Sequence, residues 1–172
     1  MPFAQLLHSA ELKDSKEPIV YLVTVLLLMF VLPLGSIFVQ ALAQANLDNW
    51  IFLIGRWFGF WTVGIRLLLA GLRQAIRPEF TAERIFDIKG KEPLPIVQEL
   101  GFANIAMGVL GTISILSIHW IVPTAILGAI FYACAGVKHI TRKGKNRNEM
   151  IATISDMFAA VVLALYLILS QT

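Results

Sequence analysis

Long apolar runs alternate with short polar gaps along this chain, and each run is about as long as a helix that crosses a bilayer. The hydrocarbon core is about 30 Å thick, so a spanning helix needs about 20 apolar residues, with about 17 as the lower limit. The pattern predicts an all-α fold, an integral membrane bundle of five transmembrane helices. The predicted spans cover about residues 19–43, 50–73, 100–118, 121–138 and 150–170.

Composition supports a membrane protein built as one domain. The 172 residues are 58% hydrophobic and 15% charged, whereas a soluble domain usually carries about 25% charged residues. The longest polar gap, residues 73–100, is too short to form a separate soluble domain. We therefore expect a single membrane domain over residues 1–172, with the lipid bilayer as its first partner.

The basic residues indicate how the chain is oriented. Two lysines precede the first span, five basic residues lie in each of the gaps 73–91 and 138–147, and the other gaps and the tail contain no Lys or Arg. Because Lys and Arg favour the cytoplasmic side of short loops, we expect a cytoplasmic N-terminus and a C-terminus outside. Trp50, Trp57 and Trp120 fall at the predicted outer ends, as in an interfacial aromatic belt. The net charge of +3 then reflects orientation, and we expect no nucleic-acid partner.

Apolar and charged residues are interleaved in the gap after the second predicted span. Phe80, Ile85 and Phe86 lie among charged residues, and Gly90 with the prolines that follow it would end a helix. This pattern predicts a short cytoplasmic helix at about residues 79–88 that lies in the inner headgroup region.

Small residues line one side of the third predicted span. Gly101, Asn104, Gly108 and Gly111 recur at spacings of three and four, which places them on the same face of a helix. Such a face permits tight helix packing or borders a cavity.

Polar side chains from four segments fall at similar predicted depths in the cytoplasmic half of the bundle. A charge inside the bilayer costs several kcal/mol at least, so such residues usually face other helices and find partners. We expect Arg66 to pair with Asp156, since an Arg can donate two hydrogen bonds to a carboxylate. A second expected pair joins Glu99 to Arg73 or Lys138. The full polar set is Arg66, Glu99, Asn104, His139, Glu149 and Asp156.

Two interpretations of this polar set stay open. In the first, the polar pairs simply hold helices together. In the second, they line a small pocket open to the cytoplasm that binds a lipid headgroup, an anion or a proton. The ligand-binding residues expected from the second interpretation are Arg66, Asn104, Asp156, Glu99 and His139.

The sequence does not indicate a catalytic, metal or cofactor site. His119 and His139 lie at opposite predicted faces, and no Cys-x-x-Cys, His-x-x-x-His or Glu-x-x-His spacing occurs. Cys134 is the only cysteine, so an intramolecular disulfide is impossible. Glycine-rich phosphate loops and nucleophile elbows are also absent. We therefore predict no catalytic residue, no metal and no cofactor, and enzyme activity is the least favoured function.

Several short motifs carry a resemblance. The runs RPEFTAERIF at residues 77–86 and ELGFANIAMG at residues 99–108 resemble an uncharacterised family of small bacterial multi-pass membrane proteins. The resemblance extends to residues 136–139 and 154–158, and it covers about residues 50–170. The chain is also similar, more distantly, to DoxX-like four-helix membrane proteins, from whose plan the additional first span departs. The resemblance implies a bacterial cytoplasmic (inner) membrane and a helical architecture, but no reaction.

The leading hypothesis is a membrane protein whose inner-leaflet pocket binds a lipid headgroup or a small anion. Arg66 would anchor the charge, Asn104 would orient the ligand through a hydrogen bond, and Asp156 would be the counter-charge. One alternative is an accessory or assembly subunit of a larger membrane complex, with a membrane protein or a second copy of the chain as partner. Another is a small transporter or proton-coupled channel.

Overall fold

The computed structural model describes residues 19–44, 49–86 and 88–171, and these ranges form helices joined by short turns. Five of the helices are long and apolar enough to cross a membrane, and no strand occurs within the described ranges. The predicted all-α class with five such helices is confirmed. We name the long helices α1 (Ile19–Gln44), α2 (Trp50–Ile76), α3 (Leu94–Ile113), α4 (Ile121–Thr141) and α5 (Arg147–Leu169).

Helix α3 begins and ends earlier than the hydrophobic pattern suggests. It begins at Leu94, whereas the predicted span begins near residue 100. Pro95 lies in its first turn. A proline is tolerated there, since the first amides of a helix have no intrahelical acceptor. At the other end, the Ser114 hydroxyl donates to the Gly111 carbonyl at 2.7 Å, and the chain turns before Ser117 becomes extended.

Helix α2 is the central helix of the bundle and contacts each of the other four long helices. Its buried side chains Val63 and Leu67 belong to one apolar core with Tyr132 of α4 and Leu163 of α5. Arg66 lies between Val63 and Leu67 in the sequence. The packing of α2 therefore directs Arg66 towards other helices.

Helices α2 and α3 approach each other backbone to backbone. A Cβ atom on Gly64 would lie 2.7 Å from the carbonyl carbon of Gly111, and one on Gly71 would lie 2.6 Å from the carbonyl oxygen of Gly101. The buried side of α3 comprises Val97, Gly101, Asn104, Gly108 and Gly111. The small face that the sequence predicts is therefore a helix-packing face, and it fixes the distance between α2 and α3.

Two long helices contain wide, π-helical turns. These lie at Leu27–Val31 in α1 and at Gly59–Ile65 in α2. At the end of the second, the amide of Arg66 donates to the carbonyl of Trp61, five residues back. A π turn holds one more residue than an α turn, so it changes which side of the helix the following residues occupy.

The segment after α2 packs on the bundle. Phe80–Ile85 forms a short π-helical stretch in which Thr81, Ala82 and Ile85 are buried. The Asn146 side-chain amide donates to the Arg84 carbonyl at 3.1 Å, which ties this segment to the turn before α5. Its apolar residues thus face the bundle, and its placement on the cytoplasmic side stays a prediction.

The outer surface of the bundle is apolar. Large hydrophobic side chains are exposed on every long helix, for example Phe38, Leu69, Phe102, Ile130 and Ile154. A soluble protein rarely exposes apolar surface on this scale, whereas lipid chains accept it without cost. The surface agrees with the helix lengths in indicating a membrane protein.

Candidate functional site

A cavity of about 510 Å³ lies at one end of the bundle. The first halves of α1 and α5, the middle of α3 and the last halves of α2 and α4 contribute its walls, together with the segment 80–86. Most lining side chains are apolar. The polar and charged lining residues other than threonine and tyrosine are Arg66, Arg73, Gln74, Asn104, Lys138, His139 and Asp156.

An ion pair between Arg66 and Asp156 forms part of the cavity wall. The Arg66 Nη2 atom lies 2.8 Å from Asp156 Oδ1 and donates a second hydrogen bond to Ser155 Oγ at 3.1 Å. The Arg66 guanidinium also lies over the Tyr132 ring, 5.0 Å from its centroid, and the Tyr132 hydroxyl donates to the Thr62 carbonyl. The structure thus brings together the two residues that the sequence pairs, and fixes the arginine on three sides.

One donor of this arginine is left over. The Arg66 Nη1 atom is buried and has no hydrogen-bond partner among the described residues. Leaving a buried donor of a charged group unsatisfied costs more than the ~1–3 kcal/mol of a neutral one. Arg66 therefore lines the cavity with a guanidinium that has one buried N–H group without an acceptor.

Asn104 also lines the cavity, and it is 97% buried (3% exposed). Its Nδ2 atom donates to Gln74 Oε1 at 2.7 Å. Its Oδ1 atom is buried and accepts no hydrogen bond within the described ranges. The bond to Gln74 fixes the direction of the amide, so Asn104 contributes a buried acceptor that receives no donor.

Gln74 is a site residue that the sequence reasoning missed. It lies eight residues after Arg66, which is two helical turns plus about 80°, and so on the adjacent side of α2. This spacing was the available signal. Arg73, beside it, has its guanidinium 4.0 Å from the centroid of the Phe80 ring at the cavity rim.

His139 lines the cavity, but its ring nitrogen interacts with a buried carboxylate of the bundle. Its Nδ1 atom lies 3.3 Å from Oε1 of the fully buried Glu149, which also lies 3.5 Å from Arg142 Nη1. The ring of Phe86 stacks on the His139 imidazole, with centroids 6.0 Å apart. Asn146 caps α5 by accepting from the Glu149 amide at 2.8 Å. This cluster joins α4, α5 and the segment 80–86, and it forms one wall of the cavity.

Glu99 lies apart from the other expected site residues. It is exposed and does not line the cavity. Neither Arg73 nor Lys138 forms an ion pair with it in the part of the chain that the structure describes. The reason is geometric, since Glu99 is two residues from Gly101 and so about 200° around α3 from the packed face.

The rim of the cavity has two characters. Its exposed lining residues include the apolar Val20 of α1 and Leu69 of α2, and the basic Arg73 and Lys138. An opening bordered by exposed apolar side chains suits lipid, and one bordered by basic side chains suits an anion. The exposed part of the cavity lining is therefore partly apolar and partly basic.

A comparison with protein-family models identifies the family of this chain. No curated protein and no solved structure matches the chain. A family model described as a family of unknown function (DUF6790) matches residues 21–172. The match includes α1, which the resemblance over residues 50–170 left out, and the expectation of an uncharacterised family is confirmed. The bacterial source and the similarity to DoxX-like proteins stay predictions. With the model covering all but the first residues, this chain belongs to the family of unknown function DUF6790.

Proposed function

We propose that this protein is a membrane-embedded binding protein whose cavity receives an anionic group, either a lipid headgroup or a free anion. The observation that carries the proposal is that Arg66, which lines the cavity, has a buried Nη1 atom without a hydrogen-bond partner in the described part of the chain. Hydrogen bonds to charged groups contribute about 1.5–3 kcal/mol. A bound anionic oxygen would supply the missing acceptor.

The charges of the cavity lining favour an anion. Arg66, Arg73 and Lys138 carry positive charge and Asp156 carries negative charge. Asp156 is already bound to Arg66, so it neutralises that arginine when the cavity is empty. Arg66 then anchors the ligand, Asn104 orients it, and the two rim residues attract it. Glu99 takes no part, and His139 belongs to the wall.

The same end of the bundle carries both basic gaps of the chain, 73–91 and 138–147. Because Lys and Arg favour the cytoplasmic side, this end of the bundle lies on the cytoplasmic side of a bacterial inner membrane. The cavity then opens at the inner leaflet, the N-terminus is cytoplasmic and the C-terminus is outside. The roles of assembly subunit and of transporter or proton-coupled channel stay predictions.

This orientation predicts a labelling result. In a Cys134→Ala background, Gln171→Cys should react with a membrane-impermeant maleimide in intact cells, and Lys143→Cys should react only after the cells are opened. Both positions are exposed in the structure, so a difference reports the side of the membrane. Equal labelling of both cysteines in intact cells would contradict the proposed orientation.

The binding proposal predicts a selective loss of affinity. Purified protein in neutral detergent is titrated calorimetrically with dioctanoyl phosphatidylglycerol, with inorganic phosphate and with dioctanoyl phosphatidylcholine. The wild type should bind one or both anionic compounds more tightly than the zwitterionic one. Arg66→Gln should weaken anion binding by about 10- to 100-fold, since a charged hydrogen bond is lost.

Two comparison variants keep this test decisive. Arg56→Gln removes an arginine from the same helix, outside the cavity lining, and should bind as the wild type does. The double variant Arg73→Gln with Lys138→Gln changes only exposed residues, so it should fold normally and bind anions several-fold more weakly. Equal binding of anionic and zwitterionic compounds by the wild type would exclude the proposed function.

A further inference from the structure

We infer that the occupant of the cavity is an anionic lipid whose headgroup also carries a free hydroxyl, as in a phosphoglycerol headgroup. This inference rests on the proposed function and names the class of ligand for the same cavity. It follows from three features: a second unsatisfied atom on a residue that lines the cavity, the offset between Arg66 and Asn104 along the bundle axis, and the apolar part of the rim.

The second unsatisfied atom is an acceptor. Asn104 Oδ1 is buried beside the cavity and receives no donor from the residues described, while its Nδ2 atom is held by Gln74. A buried acceptor left unsatisfied costs about 1–3 kcal/mol. A purely accepting anion cannot satisfy it, because both atoms would be acceptors. A hydroxyl group can, because it donates one hydrogen bond and accepts others.

The two unsatisfied groups lie at different depths. Asn104 lies on α3 opposite Gly71, where an added Cβ atom would meet the Gly101 carbonyl oxygen and the Ile105 amide, and Gly71 follows Arg66 by five residues on α2, about 7.5 Å along the helix axis at 1.5 Å per residue. Arg66 is therefore the deeper group, and Asn104 lies nearer the end of the bundle. A phosphate followed by a glycerol extends over an offset of this size.

This order of groups is the order in an inner-leaflet lipid. The acyl chains lie nearest the membrane centre, the phosphate comes next, and the headgroup hydroxyls point towards water. With the phosphate at Arg66 and the hydroxyls at Asn104, the acyl chains leave the cavity between the phosphate level and the membrane centre.

The apolar rim favours a lipid over a free anion. Val20 and Leu69 line the cavity and are 55% and 49% exposed, so part of the opening faces the lipid-covered side of the bundle. The cavity volume of about 510 Å³ lies within the ~300–1,000 Å³ of small-molecule pockets. A headgroup fills such a volume, and the chains can remain in the bilayer.

The test uses two anionic lipids, of which only one has headgroup hydroxyls. Dioctanoyl phosphatidylglycerol and dioctanoyl phosphatidylmethanol have the same charge and the same chains, but the second lacks headgroup hydroxyls. Affinities are measured by native mass spectrometry of the full chain in detergent. The wild type should prefer phosphatidylglycerol by about 5- to 20-fold, as expected for one satisfied buried acceptor.

Variants assign this preference to Asn104. Asn104→Leu should bind the two lipids equally, with affinity for phosphatidylmethanol close to that of the wild type. Arg66→Gln should weaken both lipids and retain the preference. Thr112→Val removes a hydroxyl from α3 outside the cavity lining and should leave both affinities unchanged. Thermal unfolding of each variant by circular dichroism checks that it is folded.

The outcomes separate the inference from the proposed function. Equal binding of the two anionic lipids by the wild type, with both tighter than phosphatidylcholine, would overturn the hydroxyl inference and leave anion binding intact. No advantage of either anionic lipid over phosphatidylcholine, together with no binding of phosphate, would overturn both. Free glycerol phosphate that binds as tightly as phosphatidylglycerol would show that the ligand is a soluble anion, and the lipid assignment would fail.

Discussion

Replacing Asp156 by leucine is expected to lower the free energy of unfolding by about 3–5 kcal/mol, the cost of leaving one member of a buried ion pair without its partner. The side chains of Arg66 and Asp156 are 12% and 8% exposed, so water replaces little of the lost interaction. Reversible unfolding by dodecyl sulfate in mixed micelles, followed by far-UV circular dichroism, measures the change.

A second substitution separates the ion pair from simple loss of packing. The double variant Arg66→Met with Asp156→Leu removes both charges, and it should recover most of the stability, because an apolar replacement of a buried pair is often neutral or stabilising. Arg56→Met, outside the pair on the same helix, provides the control. A change of about 0.5 kcal/mol is an ordinary effect of a surface substitution. If the free energy of unfolding of Asp156→Leu differs from that of the wild type by no more than this, the pair does not stabilise the bundle.

The second large effect is expected where α2 and α3 meet. Gly64→Ala should lower the free energy of unfolding by about 1–3 kcal/mol, as overpacking does. The added Cβ atom would lie 2.7 Å from the Gly111 carbonyl carbon, and a backbone atom cannot rotate away as a side chain can. The loss should occur although alanine forms helices more readily than glycine by about 1 kcal/mol.

Gly35→Ala is the matched control for this substitution. Gly35 also lies within a long helix, but a Cβ atom there would meet nothing within 4 Å. This variant should therefore be as stable as the wild type or up to about 1 kcal/mol more stable. If both alanine variants change stability equally, the close approach of α2 and α3 does not determine how the helices pack. The same unfolding measurement in mixed micelles serves for both.

The sequence predicts depth in the membrane better than direction around a helix. The five helices are predictable because the thickness of the bilayer fixes the length of an apolar run. The Arg66–Asp156 pair is predictable for a similar reason, since counting residues from the two ends of the membrane brings both groups to one level. Glu99 is close in sequence to Asn104, yet it is exposed. Its direction depends on which face of α3 packs on α2.

Other parts of the site depend on packing that no local pattern encodes. The partnership of Asn104 with Gln74 requires the crossing of α2 and α3. The segment 80–86 has the composition of a surface helix. Its aromatic rings nevertheless line the cavity, and the Asn146 side chain donates a hydrogen bond to its backbone. The cavity itself is unfilled space between five helices, so the residues that line it can be suggested by the sequence, but its volume cannot.

The wide turn at Gly59–Ile65 also determines where α2 can lose one residue without disrupting its packing. Because a π turn contains one residue more than an α turn, a single-residue deletion there can restore ordinary helix without rotating the half of α2 that follows. Arg66 would still point to α5 and Gly71 to α3. Between Arg66 and Gly71 there is no extra residue to remove, so a deletion there would rotate the rest of α2 by about 100°. Relatives that differ by one residue in this helix should therefore differ within the wide turn.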